Sequence, residues 1–136
     1  MSRIKNRKGS EGKKITARVN SAPNSDTLPP IFSLEHMVSG YCLDSCNEEQ
    51  RAAFAMSMFR RKSLSWAQIR NSPKHGLGTE KISKDAIDEP LPRHLKEDAD
   101  LLAMRFWTKA PMVGYRDGRI FYVLWLDPNF SLYDHG

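Results

Sequence analysis

The clearest alternation of apolar and polar positions lies in the last third of the chain. Two β-rich runs, Met112-Val113-Gly114-Tyr115-Arg116 and Arg119-Ile120-Phe121-Tyr122-Val123-Leu124-Trp125-Leu126, flank Asp117-Gly118. Asp-Gly between such runs signals a two-residue hairpin, because a type I′ turn needs positive φ at both central residues. Positions 101–107 read as the strand before it, and Lys109-Ala110 with Pro111 marks the connection. The C-terminus is therefore expected to be a three-stranded antiparallel meander.

Helical periods precede it. Asn47 is a good N-cap, Gln50 stands at N3 to close a capping box, and Glu48-Glu49 suit the positive end of the helix dipole. Ala52, Ala55, Met56 and Phe59 follow i, i+3, i+4, i+7 spacing, which predicts that they form the buried face. Arg60-Arg61-Lys62 supplies positive charge to the last turn, so the helix should end near Lys62. A second, short helix is capped by Ser65 with Gln68, buries Trp66 and Ile69, and is stopped by Pro73. Ile31-Phe32-Ser33-Leu34 begins the ordered part as a short strand or extended entry, and positions 35–41 show no clear period. Lys74-His75-Gly76-Leu77-Gly78 reads as a loop with an unusual backbone, 83–93 as an ordered linker around Pro90 and Pro92, and 94–98 as one turn. The expected fold is α+β: an antiparallel sheet of three to four strands with two N-terminal helices packed on it, preceded by a disordered basic tail.

Charge divides the chain at the same place. The formal net charge is +5, and residues 1–30 carry all of it, with seven basic groups against Glu11 and Asp26. Positions 31–136 balance 14 basic with 14 acidic groups, so the expected single domain is neutral overall. The segment 1–30 has too few large apolar residues to offset its ordering entropy and is expected to be a disordered arm. Such an arm suits contacts with phosphates or with a partner protein. No apolar run reaches the roughly 18 residues of a membrane span, and the basic start lacks the apolar stretch of a signal peptide. Cys42 and Cys46 do not make a disulfide framework, and a cytoplasmic location fits all of this.

Several residue groups carry candidate chemistry. Cys42 and Cys46 with His36 and His75 have a spacing permissible for zinc, but no second close ligand pair follows, and buried free thiols explain them better. The Gly76-Leu77-Gly78 loop beside Lys74 and His75 suits an anion held by backbone N–H groups, without the pattern of a P-loop. Trp66, Trp107 and Trp125 read as core or partner-interface residues rather than base-stacking platforms. Metal-independent RNA cleavage needs a base for the 2′-hydroxyl, donors for the phosphorane and an acid for the 5′-oxygen. Arg105, Arg116 and Arg119 sit on or beside adjacent strands, and guanidinium forks suit phosphate oxygens. Tyr133 and His135, two apart, share a side of an extended end, where imidazole titrates near working pH. An Asp or Glu would complete the set as base, with several choices open.

The arginine-bearing strand 101–106, the Gly114-Tyr115-Arg116 step, the Asp-Gly turn, the apolar strand 119–126 and the terminal Tyr133-Asp134-His135 resemble the RelE/ParE toxin superfamily of bacterial toxin–antitoxin pairs. The resemblance implies a toxin-like endoribonuclease with Arg105, Arg116, Arg119, Tyr133 and His135 as its catalytic set, and Lys74, His75, Arg93 and Lys96 as RNA-binding residues. It implies RNA as substrate, on or off the ribosome, a cognate antitoxin-like protein as partner, and no membrane, metal or cofactor. A non-catalytic interaction module, or a nucleic-acid-binding module using the basic arm, is the alternative.

Overall fold

The apolar C-terminal runs form the middle of the sheet. In a computed structural model that describes residues 24–134, the strands are β1 (Ile31–Ser33), β2 (Glu80–Ile82), β3 (Leu101–Trp107), β4 (Ala110–Asp117) and β5 (Ile120–Leu126). Between β1 and β2 lie the helices α1 (Glu48–Arg60) and α2 (Trp66–Arg70). The strand order is β1-β5-β4-β3-β2. The expected antiparallel meander is present as β3-β4-β5, and the class is α+β as read from the sequence. The sheet has five strands instead of three or four, and it is mixed, because β1 pairs parallel to β5 through Ile31 opposite Ile120. Among the described residues no helix is long and apolar enough to cross a membrane.

The β4–β5 turn is displaced by one residue from its expected place. Asp117 pairs with Ile120, so the two central residues are Gly118 and Arg119. Only Gly118 has positive φ, at 63°, which is the sign pattern of a type II′ turn and not of type I′.

Both faces of the sheet are covered. One packs Met104, Phe106, Met112, Phe121 and Val123 against Phe54 of α1 and Trp66 of α2. The other packs Leu101, Val113, Leu124 and Trp125 under Ile82, Ile87, Leu132 and Tyr133, which belong to β2 and to loops. Two bulges break the alternation. Where β4 meets β5, Gly114 pairs with Val123 and Val113 with Trp125, so Leu124 is the extra residue. A Cβ on Gly114 would overlap the Tyr122 carbonyl oxygen, so only glycine allows this approach. Between β3 and β4, Arg105 pairs with Pro111 and Trp107 with Ala110, which leaves Phe106 as the extra residue. Pro111 lies at the break, and its carbonyl turns the other way, accepting from the Asp127 amide at 3.0 Å.

The capping boxes form as expected. Asn47 accepts from the Gln50 amide at 2.8 Å, and Ser65 from that of Gln68 at 3.1 Å. Trp66 and Ile69 are buried, again as expected. The buried face of α1, however, is not Ala52, Ala55, Met56 and Phe59. It consists of Gln50, Phe54 and Ser57, continued by Arg61 beyond the last turn, while Met56 and Phe59 are 44% and 57% exposed. The reason is hydrogen bonding. The Ser57 hydroxyl donates to the Arg105 carbonyl at 3.3 Å, and Arg61 Nε donates to that of Leu77 at 3.1 Å. Carbonyls at the broken end of β3 and in the next loop need donors, and a purely apolar face would leave them unsatisfied.

The expected disorder of the tail falls on residues 1–23, outside the described residues. Residues 24–30, assigned to the same tail, belong to the folded part. They form a 3₁₀ turn, Ser25–Thr27, and the Leu28 carbonyl accepts from the Trp66 amide at 3.1 Å.

Gly114→Ala should lower stability by about 1–3 kcal/mol or more, as over-packing against backbone does. Urea denaturation should show a lower midpoint with the slope unchanged; an unchanged midpoint would remove the close approach from the description of the sheet.

Candidate functional site

Arg105 leaves the sheet where β3 bulges, and the local fold is arranged around that place. β2 pairs only with Leu101 to Ala103, so the outer edge of β3 from Met104 onward has no strand beside it. The end of α1 and the loop 71–79 fill the gap. The loop can do so because Gly78 lies against the Ser72 and Pro73 carbonyls, where a Cβ would overlap backbone. Arg105 Nη1 donates to the His75 carbonyl at 3.4 Å.

A cavity opens on either side of Arg105. The first, of about 220 Å³, is lined by Lys74, Glu80, Arg105, Lys109 and Tyr133. The second, of about 420 Å³, is lined by Arg60, Arg61, His75, Arg105 and Thr108. In the first, Lys74 Nζ and a Glu80 carboxylate oxygen are 3.4 Å apart, both partly exposed. Tyr133 is buried, and its phenol is pushed up to about 12, first by that burial and then by the nearby Glu80 and Asp127. At neutral pH it is a protonated donor beside a carboxylate and three cations.

Asp127 places Tyr133 there. Its fully buried carboxylate accepts from the amides of Ser131 at 2.9 Å and Leu132 at 3.0 Å, turning the chain back after β5. The Leu132 carbonyl then accepts from the Asp88 amide at 2.8 Å, which pins the segment under the sheet.

Of the residues singled out in the sequence, the structure gathers Arg105, Tyr133, Lys74 and His75. It places Arg116 and Arg119 elsewhere. Arg105 stands opposite Pro111, and Arg116 lies five residues further along β4, roughly 16 Å away at strand rise. Arg116 bonds the Gly118 carbonyl at 2.6 Å, lies 4.5 Å over the Trp66 ring and pairs with the Asp26 carboxylate. Arg119 Nε donates to the Pro29 carbonyl at 3.0 Å. These two arginines fasten residues 24–30 to the sheet. Lys96 lines a separate cavity with His94 and Tyr115, and Arg93 is exposed on the same connection. His135 lies outside the described residues.

Two other expectations change. The amides of Gly76 and Gly78 both donate to the Pro73 carbonyl, at 3.0 and 2.9 Å, so they are not available to an anion. The loop turns carbonyls toward Arg61 and Arg105 instead. His36 stacks on His94 with centroids 3.9 Å apart, while Cys46 is buried in the core and Cys42 half-buried. Among the described residues no three His, Cys, Asp or Glu side chains are grouped so as to hold a metal ion. Trp66 and Trp125 are core residues, and half-buried Trp107 donates to Glu49 at 3.0 Å.

No protein-family model, curated protein or solved structure matches this chain. The resemblance to RelE/ParE toxins therefore rests on the residues themselves. Sequence reasoning missed Glu80, Lys109 and the pair Arg60-Arg61. Glu80 sits on a three-residue strand too short to show a period, and Arg60-Arg61 had a sufficient local explanation in the helix dipole.

The Asp26–Arg116 contact gives a pH-dependent prediction. Hydrogen bonding from Arg116, ahead of the attraction of Arg116 and Arg70, holds the Asp26 carboxyl below its ordinary 3.8. A depressed carboxyl contributes stability that is present above the ordinary value and lost as pH falls through the lower one. Asp26→Asn should thus cost up to about 1 kcal/mol at neutral pH, since both groups are part-exposed. Denaturant midpoints should converge with wild type below pH 3.8; a difference that stays constant into acid would show that the charge does not matter.

Proposed function

We propose that this protein is a toxin-like endoribonuclease that cleaves RNA without a metal, in the cavity between Arg105 and Tyr133. The observation that carries the reading is the placing of Glu80 and Tyr133 in one cavity with Arg105, Lys74 and Lys109. That set contains a base, an acid and three cations. Glu80 takes the proton of a 2′-hydroxyl, and the 2′-oxygen attacks the adjacent phosphorus. Arg105, Lys74 and Lys109 stabilise the charge on the phosphorane. Tyr133 protonates the departing 5′-oxygen, leaving a 2′,3′-cyclic phosphate and a 5′-hydroxyl; Glu80 then returns its proton through water to the phenolate. Burial keeps the Tyr133 proton in place until it is needed. This gives Tyr133 and Arg105 the roles expected from the sequence and adds Glu80 as the base. An RNA substrate, on or off the ribosome, implies a cytoplasmic site of action.

A partner protein is supported by a different observation. Met56 and Phe59 stand exposed with Ala52 and Ala55 on the outer side of α1. Such an apolar stripe suits an antitoxin-like protein, or, in the alternative reading, the partner of a non-catalytic module.

Glu80→Gln and Tyr133→Phe should each slow cleavage by about 10²–10⁴-fold, and Arg105→Ala by about 10²–10³-fold, with the fold retained. Induced expression should arrest growth, and mapped transcripts should end in cyclic phosphates. Folded wild-type protein that cleaves no RNA, with or without ribosomes, would overturn the catalytic reading and leave the interaction module.

A further inference from the structure

The second cavity beside Arg105 has no place in the acid–base chemistry, and its walls are unusual. Arg60, Arg61, Arg105 and His75 line it, and among the described residues no carboxylate does. Arg61 is fully buried. Its Nε donates to the Leu77 carbonyl at 3.1 Å, and Nη1 donates to the Ser57 carbonyl at 3.0 Å and hydroxyl at 2.6 Å. Its Nη2 has no hydrogen-bond partner among the described residues. Asp127, also fully buried, is by contrast satisfied by two backbone amides.

A buried cation is ordinarily paired, because carbonyl dipoles alone do not replace the water it has lost. Among the described residues no carboxylate lies within ion-pair distance of Arg61, and Arg60 adds a like charge next to it. Burial and then that neighbour pull the Arg61 guanidinium down to about 10, which leaves it charged at neutral pH. The carbonyl end of α1 supplies about half a negative charge. That is small against the three arginines that line one cavity.

Thr108 lines the same cavity with φ at 51°, a left-handed conformation that β-branched residues rarely adopt. Strain of this kind collects at ligand sites. An anion that accepts from several guanidinium groups at once would supply the missing partner, and tetrahedral phosphate oxygens match the arginine fork.

We propose that this cavity is a phosphate-binding site in which Arg61, Arg60 and Arg105 hold one phosphate group. Resting on the ribonuclease reading, that group is a backbone phosphate of the bound strand next to the scissile one, with Arg105 between the two. The site itself stands on the unpartnered Nη2 and the uniformly basic lining, and not on the chemistry in the first cavity.

The test uses the full chain with two probes, inorganic phosphate and a short 2′-O-methyl RNA, which cannot be cleaved. Both should raise the melting temperature of wild type in a concentration-dependent way. Exposed Arg60→Ala and buried Arg61→Met should each weaken both probes by on the order of tenfold or more, as loss of a charged hydrogen bond does. Arg61→Lys, which keeps the charge and loses the fork, should recover part of that. Arg60→Ala should also flatten the salt dependence of oligonucleotide binding by about one phosphate contact. If Arg61→Met does not fold, Arg60→Ala and Arg61→Lys decide alone.

Absence of any response to phosphate in wild type, or equal responses in wild type and Arg60→Ala, would overturn the proposal. Tyr133→Phe separates it from the catalytic reading: it should slow cleavage by about 10²–10⁴-fold and keep the phosphate response. Phosphate binding without cleavage in wild type would support this site while sinking the ribonuclease. Response to inorganic phosphate without response to the oligonucleotide would support the site and overturn its assignment to a strand.

Discussion

The close approach of Gly114 to the Tyr122 carbonyl is the constraint on which the rest of the sheet depends. It lets β5 carry one more residue than β4, so that Leu124 and Trp125 both turn to the same face. Beyond the three residues that pair with β1, the outer edge of β5 is met by a different segment. The Leu124 carbonyl accepts from the Val38 amide at 2.8 Å, and the Leu126 amide donates to the Tyr41 carbonyl at 2.7 Å. The stretch after β1 is thereby sewn along the upper part of β5 without being a strand. The bulge also increases the local twist.

β3 bulges where it meets β4, and its other edge, beyond the three residues that pair with β2, is not met by another strand. It is met by α1 and the loop after α2, through Ser57, Arg61 and Gly78. This explains the buried face of α1: Gln50 and Ser57 turn inward beside Phe54, while Met56 and Phe59 stay exposed.

The parts of this fold that the sequence disclosed are those fixed by near neighbours. Both capping boxes, the ends set by Pro73 and the three-strand meander depend on residues within a few positions of each other. The parallel pairing of β1 with β5 joins residues almost ninety positions apart and leaves no local trace in three residues. The α1 face was misread because periodicity counts apolar residues and cannot know that Leu77 and Arg105 present carbonyls to it. The candidate site was half legible. Arg105, Tyr133, Lys74 and His75 announced themselves by residue type, but nothing local separates Arg105 from Arg116, and Glu80 had no feature to mark it among the acids.

What separates those arginines is the partner each one meets. Arg116 meets the Asp26 carboxylate, and Arg119 meets a carbonyl in the segment that Asp26 helps to hold. Arg61 meets two carbonyls and the Ser57 hydroxyl, Arg105 meets a carbonyl, and among the described residues neither is within ion-pair distance of a carboxylate. Their charges are therefore oriented and not neutralised. Overall neutrality of positions 31–136 is consistent with this, because acidic residues predominate in one segment and basic ones at one end of β3. Asp85, Asp88, Glu89, Glu97, Asp98 and Asp100 cluster in the connection between β2 and β3, while Arg60, Arg61, Lys74, Arg105 and Lys109 surround the end of β3. A neutral domain of this kind still presents a local positive field, and walls of low dielectric concentrate it in the clefts. Net charge was thus the wrong quantity from which to judge an affinity for phosphate: the sum over the domain vanishes, while the field at Arg105 does not.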